Sequence, residues 1–406
     1  MGTLKLYMKM ILVYSIIFFS ALAYLNIYTN TDLYDKGRSM TMGLMFILLL
    51  LSISFKPFQN KFIWLFFITI TVIVFEAVLI DACLGTSIFY DEIYLILVPF
   101  VTIWSGYQSR ISEKQTRYII FFFILIATYV GLMSLFITIG FSMNESQYAI
   151  EQKNAIGAIV NFAAAMALYM GFVDKNKNCI GRVVIYWSFF ALLFVISLFL
   201  RSRSFLLALI LYSCLIYLKN TRITFRFVKK IVMGSCVFIV IMVILEYCIE
   251  TNVVTSFFDL IYNSLTKGKG FSGDLNALST GRMERNIAAV EIINQSPFWG
   301  RLTYNANIGW VHNYLLLKLS DFGIIGSLPF TVFYFYFLSF IIKKIKKWQL
   351  SVYDMPYFVL LISFFVSLLE PGMPYGSGSV SFALYFLLGI SLRSNHVADL
   401  SRKLTC

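Results

Sequence analysis

The chain has 406 residues, of which 59% are hydrophobic, 18% aromatic and only 13% charged. Soluble globular domains carry about a quarter charged residues, so this composition excludes a water-soluble enzyme. It indicates a polytopic, all-α membrane protein with a single membrane domain over residues 1–406. The formal net charge of +13 is not a nucleic-acid signature, because no basic stripe interleaved with aromatics lies on a soluble stretch.

In chain order, twelve spans are predicted: Met8–Tyr28, Ser39–Phe55, Phe62–Ile80, Ile93–Tyr107, Tyr118–Phe141, Asn154–Val173, Val183–Leu200, Ser204–Leu218, Ile231–Cys248, Phe322–Ile342, Pro356–Leu369 and Val380–Leu392. The first contains Ala21-Leu22-Ala23, which imitates a signal-peptidase site. Its apolar run continues to Tyr28, longer than a signal centre, so it is expected to be retained. Basic residues set the orientation. With the N-terminus inside, 22 of the 33 lysines and arginines fall on cytoplasmic segments, and every cytoplasmic connection is basic. Both termini are then cytoplasmic. The positive charge is mostly a topology signal, reinforced by attraction to anionic headgroups.

One connection is long, from residue 249 to 321, and faces outward. Its first half is rich in Gly, Ser and Asn and is expected to be irregular. The stretch GRMERNIAAVEIINQSPFWG, residues 281–300, predicts a short helix ending before Pro297, lying on the membrane surface or on the bundle. Beyond it, HNYLLLKLSD places Leu315, Leu316 and Leu319 three, four and seven residues after His312. That spacing predicts an amphipathic helix with His312 in its first turn, where the positive helix end favours a neutral imidazole.

Some charges stand where the positive-inside bias does not put them. Arg201 and Arg203 separate two apolar runs in SLFLRSRSFLLAL with almost no loop, on the outward side. They either snorkel to the interface or hold an anion. For both to face one ligand the helix must break between them, since residues two apart point to nearly opposite sides. Arg282 and Arg285 are either a solvated helix face or part of the same basic cluster. Glu76 and Asp81, in and at the end of the third span, are expected to pair with an arginine, with a proton relay as the alternative. The six cysteines stand singly, with no C-x-x-C and no histidine at ligand spacing, and are expected to be packing residues; a Cys83–Cys248 disulfide is the less expected alternative. No metal or other cofactor is expected.

The order of these features resembles the O-antigen polymerase and O-antigen ligase family of bacterial envelopes. Three stretches carry the resemblance: SRS at 202–204, STGRMERNIAAVEIINQSPFWG at 279–300 and HNYLLLKLSDFGIIG at 312–326. It implies a helical bundle of the C-type glycosyltransferase kind in the bacterial inner membrane, working at the periplasmic face in lipopolysaccharide biosynthesis. The implied substrates are glycans on undecaprenyl diphosphate, as donor and acceptor, with a chain-length regulator protein as partner. Position by position, Arg203 and Arg282 match the family's arginines and His312 its loop histidine. Arg201 and Arg285 are extra basic residues beside them, Asn313 follows the histidine, and Asp321 stands where a Glu is usual. Arginine forks suit a diphosphate leaving group without a metal, and an imidazole suits a base that deprotonates a sugar hydroxyl. The expected function is metal-independent polymerisation of lipid-linked repeat units. The alternatives are a ligase that transfers glycan to lipid A-core and, from another class, a flippase for lipid-linked oligosaccharides.

Overall fold

The computed structural model describes residues 2–24, 31–52, 60–84, 88–142, 153–200, 202–220, 282–302, 311–347, 349–375 and 381–404, with side chains described outside 2–5, 31–38, 52, 81–95, 136–153 and 395–404. The described residues form twelve α-helices and no strand: α1 (Gly2–Leu22), α2 (Thr31–Ser52), α3 (Lys61–Leu84), α4 (Ile88–Gln108), α5 (Glu113–Ser142), α6 (Lys153–Asn176), α7 (Ile180–Phe199), α8 (Arg203–Asn220), α9 (Arg282–Gln295), α10 (Tyr314–Lys346), α11 (Met355–Ser367) and α12 (Phe382–Leu404). Six of them, α3, α5, α6, α7, α8 and α10, are long and apolar enough to cross a bilayer, and the described residues form a helical, membrane-embedded bundle. The ninth predicted span, Ile231–Cys248, lies outside the described residues, as do Arg201 and Cys248.

The axis of the bundle is α6, whose apolar stretch is wholly buried. Its sequence, rich in alanine and glycine, lets neighbouring helices approach closely. Polar side chains then tie it in place. Asn161 donates to the Gly157 carbonyl and accepts from Ser197 of α7, while the Tyr212 hydroxyl of α8 donates to the Ala165 carbonyl. Small residues serve the same purpose where α4 crosses α12. A Cβ on Gly106 would collide with the Phe386 carbonyl, and one on Gly389 with the Ile103 carbonyl.

One end of the bundle is basic. Arg117 of α5 binds Asp174 at the end of α6 at 2.7 Å and Glu113 at 3.1 Å, and Lys177 joins Glu113 at 2.9 Å. At the same end Lys219 donates to the Ile345 carbonyl and Arg393 to the carbonyls of Tyr107 and Gln108. Cations thus cap helix C-termini, where the dipole favours them. The ends carrying Asn154, Arg203, Arg282 and His312 lie at the opposite side of α6 and α8.

Some expectations are corrected. α4 begins at Ile88, not Ile93, because acidic residues near a helix N-terminus are compatible with its dipole although they lower the local hydropathy. His312 precedes α10 instead of lying in its first turn: Asn313 is the N-cap, with its side chain accepting from the Leu316 amide at 3.0 Å. No ion pair to Glu76 is found among the described residues, and its Oε2 is buried without a hydrogen-bond partner. The side chain of Asp81 lies outside the described ones.

The motif pair SPFWG and DFGIIG forms a clasp. Gly323, at φ 64° and ψ −170°, breaks α10 into two helices. The first amides of the second helix are met from outside it: Ile324 donates to the Pro297 carbonyl at 2.9 Å and Ile325 to the Phe298 carbonyl at 3.3 Å. Gly300, also at positive φ, lies so close that an added Cβ would sit 2.6 Å from the Gly323 nitrogen. Arg301 and Asp321 close the clasp at 2.7 Å. Only glycine occupies the backbone region of Gly323 readily, and a Cβ there would strike the Phe298 carbonyl. Gly323→Ala is therefore expected to cost about 3 kcal/mol or more. Gly181→Ala, with open space around it, is the neutral control. Thermal melting in detergent compares the two.

Candidate functional site at converging helix ends

The site gathers around a carboxylate that the sequence reasoning did not single out. Glu370 follows α11, a helix of only 13 residues. At 1.5 Å per residue α11 spans about 20 Å, short of the roughly 30 Å hydrocarbon core. Its last carbonyls need partners, and site residues supply them. Arg282 donates to the Leu369 carbonyl at 2.9 Å, and Asn313 to the Leu368 carbonyl at 3.2 Å. Asn313 thus caps one helix with its oxygen and another with its nitrogen.

Glu370 itself is 8% exposed. Its Oε1 accepts from Arg282 at 2.7 Å and from the Ser204 hydroxyl at 3.4 Å, and its Oε2 accepts from Asn154 at 3.2 Å. Ser204 also meets Arg282, at 3.3 Å. Burial on its own would raise the carboxyl pKa, but the His312 ring and the Arg282 guanidinium outweigh it and hold Glu370 below the usual carboxylate range.

His312 bridges to the outer arginine. Its Nε2 lies 3.2 Å from an Arg285 guanidinium nitrogen, and its Nδ1 lies 3.8 Å from Glu370 Oε2. A guanidinium only donates, so Nε2 is the acceptor and the ring proton resides on Nδ1. Moving about 1 Å would turn the Nδ1 to Glu370 approach into a hydrogen bond. The array is Glu370, His312 and Arg285, with Arg282 on the far side of the carboxylate.

Local sequence explains how these groups are held. α7 ends at Phe199 and α8 starts at Arg203, so the break that the spacing of Arg201 and Arg203 requires is present. Ser202 fits in that turn because Gly157 of α6 has no side chain: a Cβ there would lie 2.7 Å from the Ser202 hydroxyl. The tight fit seats Arg203 and Ser204 beside α6, with Arg203 close enough to Arg282 for the two cations to repel. On α9, Arg282 and Arg285 project from the side that also carries the buried Ala289 and Ile292, towards the bundle.

Among the described residues, the N-termini of α6, α8, α9 and α10 contribute Asn154, Ser204, Arg282 and Asn313, so four positive helix ends and the Arg282 guanidinium converge on Glu370 and the C-terminus of α11, with Arg285 on His312 and Arg203 near Arg282. Such an arrangement favours an additional anion. Among the described residues no three His, Cys, Asp or Glu side chains gather as a metal site.

Below the site, α8, α10 and α11 enclose an apolar groove of about 410 Å³ lined by Leu211, Leu215, Phe335, Leu338, Phe365 and Leu368, among others. Leu368 joins the two regions, because its carbonyl is the one that Asn313 holds.

Of the predicted site residues, Arg282, Arg285, His312 and Asn313 come together, and Arg203 neighbours Arg282. Asp321 is in the clasp with Arg301. Glu370 and Asn154 were missed. A signal for Glu370 existed: the outward segment after the eleventh predicted span, EPGMPYGSGS, has one carboxylate and no cation. Comparison with protein-family models and with curated proteins finds no match for this chain.

Proposed function

We propose that the protein is a glycosyltransferase of the O-antigen polymerase kind, joining oligosaccharide repeat units carried on undecaprenyl diphosphate at the periplasmic face of a bacterial inner membrane. The observation that carries this is the convergence of Arg203, Arg282, Arg285 and His312 at the head of a hydrocarbon-lined groove. The ligand class that matches both parts is an amphiphile with a strong anion joined to a long apolar chain. The resemblance of the three quoted motifs narrows that class to a polyprenyl diphosphate.

In this assignment the donor diphosphate displaces Glu370 from Arg282 and draws Arg285 away from His312 Nε2. Bidentate guanidinium contacts stabilise the charge on the leaving oxygens. The freed Nε2 accepts the proton of the attacking sugar hydroxyl. That oxygen bonds to the anomeric carbon, the bond from this carbon to the diphosphate breaks, and the lipid diphosphate leaves with the electron pair. Glu370, facing Nδ1, stabilises the imidazolium that forms. The growing glycan is thereby moved onto the incoming unit.

Surface polysaccharide from a deletion strain tests the proposal. Glycan capped at a single repeat, restored to a ladder by the wild-type gene, is the expected result. Full-length chains stranded on the carrier lipid would instead identify a ligase. Repeat units trapped on the cytoplasmic side would identify a flippase.

A further inference from the structure

Helix α9 has two apolar faces, and among the described residues the bundle packs on one of them. Ala289 and Ile292 pack inward, with Ala289 in a small cluster with Val311 and Leu317. A second stripe, Met283, Ile287 and Val290, lies roughly 160° further round the helix, nearly opposite the first, and is about half exposed, with Met283 at 49%. The turn after α9 adds Phe298 at 58% and Trp299 at 42%. Glu284 and Glu291 lie on the remaining, polar side of the helix.

This apolar surface continues onto a membrane span. The clasp hydrogen bonds from Ile324 and Ile325 fix the Phe298 turn against α10. There Ile324 and Ile325 are exposed, and Leu328, Val332 and Phe335 extend the exposed apolar face along the same helix. α10 is one of the helices long and apolar enough to cross a bilayer, so its exposed apolar face is the face that hydrocarbon covers. A surface continuous with it, rimmed by a tryptophan and bounded by two glutamates, has the make-up of an interfacial helix, which sinks about 5–10 Å into the headgroup and acyl boundary.

We propose that α9 and the Phe298–Trp299 turn are seated in the bilayer leaflet on the site's side, with lipid acyl chains as the partner of Met283, Ile287, Val290, Phe298 and Trp299. Seating α9 in this way holds Arg282 and Arg285, on its bundle-facing side, near the depth of the headgroup phosphates. The proposal rests on the placement of α9 and does not depend on the reaction.

The test uses the full chain, with its native cysteines replaced, in phosphatidylethanolamine and phosphatidylglycerol nanodiscs, carrying one nitroxide at a time. Labels at Met283→Cys, Val290→Cys and Phe298→Cys are expected to be more accessible to oxygen than to a water-soluble nickel chelate. Labels at Glu284→Cys and Glu291→Cys are expected to show the reverse. Nickel accessibility at 283, 290 and 298 equal to that at 284 and 291 overturns the proposal by showing water there. Protection from both reagents overturns it by showing protein. A benzophenone amino acid at Met283 or Val290 in the otherwise native chain gives an independent measurement. Irradiation is expected to attach labelled phospholipid, and a protein adduct or no adduct counts against the proposal.

Discussion

Replacing Arg282 with alanine is expected to lower chain extension by a factor on the order of 10²–10³, while Arg282→Lys restores only a small part. Arg282 holds three partners at once: the Leu369 carbonyl, the Ser204 hydroxyl and the Glu370 carboxylate. A lysine ammonium is a compact point charge on a flexible stem and cannot reproduce the planar fork that reaches the carbonyl and the carboxylate together. The alanine variant also leaves Glu370 buried without its closest cation, a situation that costs about 3–5 kcal/mol for a fully buried pair. The cost is smaller here, because a quarter of the Arg282 side chain is in contact with solvent. Stability and activity are therefore separable. Arg282→Ala combined with Glu370→Gln is expected to recover membrane accumulation relative to Arg282→Ala alone, yet not glycan length. Glycan ladders and tagged-protein levels from complemented deletion cells read the two effects. Full activity in Arg282→Lys would remove bidentate anion binding from the account.

Hydropathy reveals most of the helices but not which of their polar residues meet, for a physical reason. A span is a local property, readable from a run of apolar residues, so α1 to α8, α11 and α12 each answer to a predicted segment. The groups around Glu370 belong to segments as far apart as Asn154 and Glu370, 216 residues in sequence. No local pattern pairs them. His312 and the arginines were legible because they break local rules, being charged or titratable groups in an apolar chain. Glu370 breaks a weaker one, and Asn154 breaks none. The motif stretches had two meanings superimposed. TGR and HN supply side chains to the site, whereas SPFWG and DFGIIG build the clasp of Gly300 and Gly323, with Arg301 and Asp321 closing it. The acidic residue before Gly-x-x-Gly thus has a structural partner in Arg301, and the carboxylate among the basic groups is Glu370.

Replacing His312 with alanine is expected to reduce chain extension by about 10²–10⁴-fold, the range for loss of a general base, with membrane insertion unchanged. The more discriminating variant is Glu370→Gln, which keeps the shape and removes the charge. If Glu370 acts on His312 through Nδ1, the variant lowers kcat by a factor on the order of 10² while donor KM changes little, because the diphosphate still meets Arg282. If the carboxylate only props up Arg282, KM rises instead. Stability gives a separate check whose sign is fixed by the lowered carboxyl pKa. A depressed folded value contributes stability that is fully present above the unfolded value of about 4.3 and is lost as pH falls through the folded value. Wild type is therefore expected to lose stability on acidification through that window, and Glu370→Gln to lose less. A kcat loss together with a flattened acid limb assigns the carboxylate to both tasks, orienting the imidazole and anchoring the basic cluster. An unchanged kcat would return His312 to the role of a solitary base.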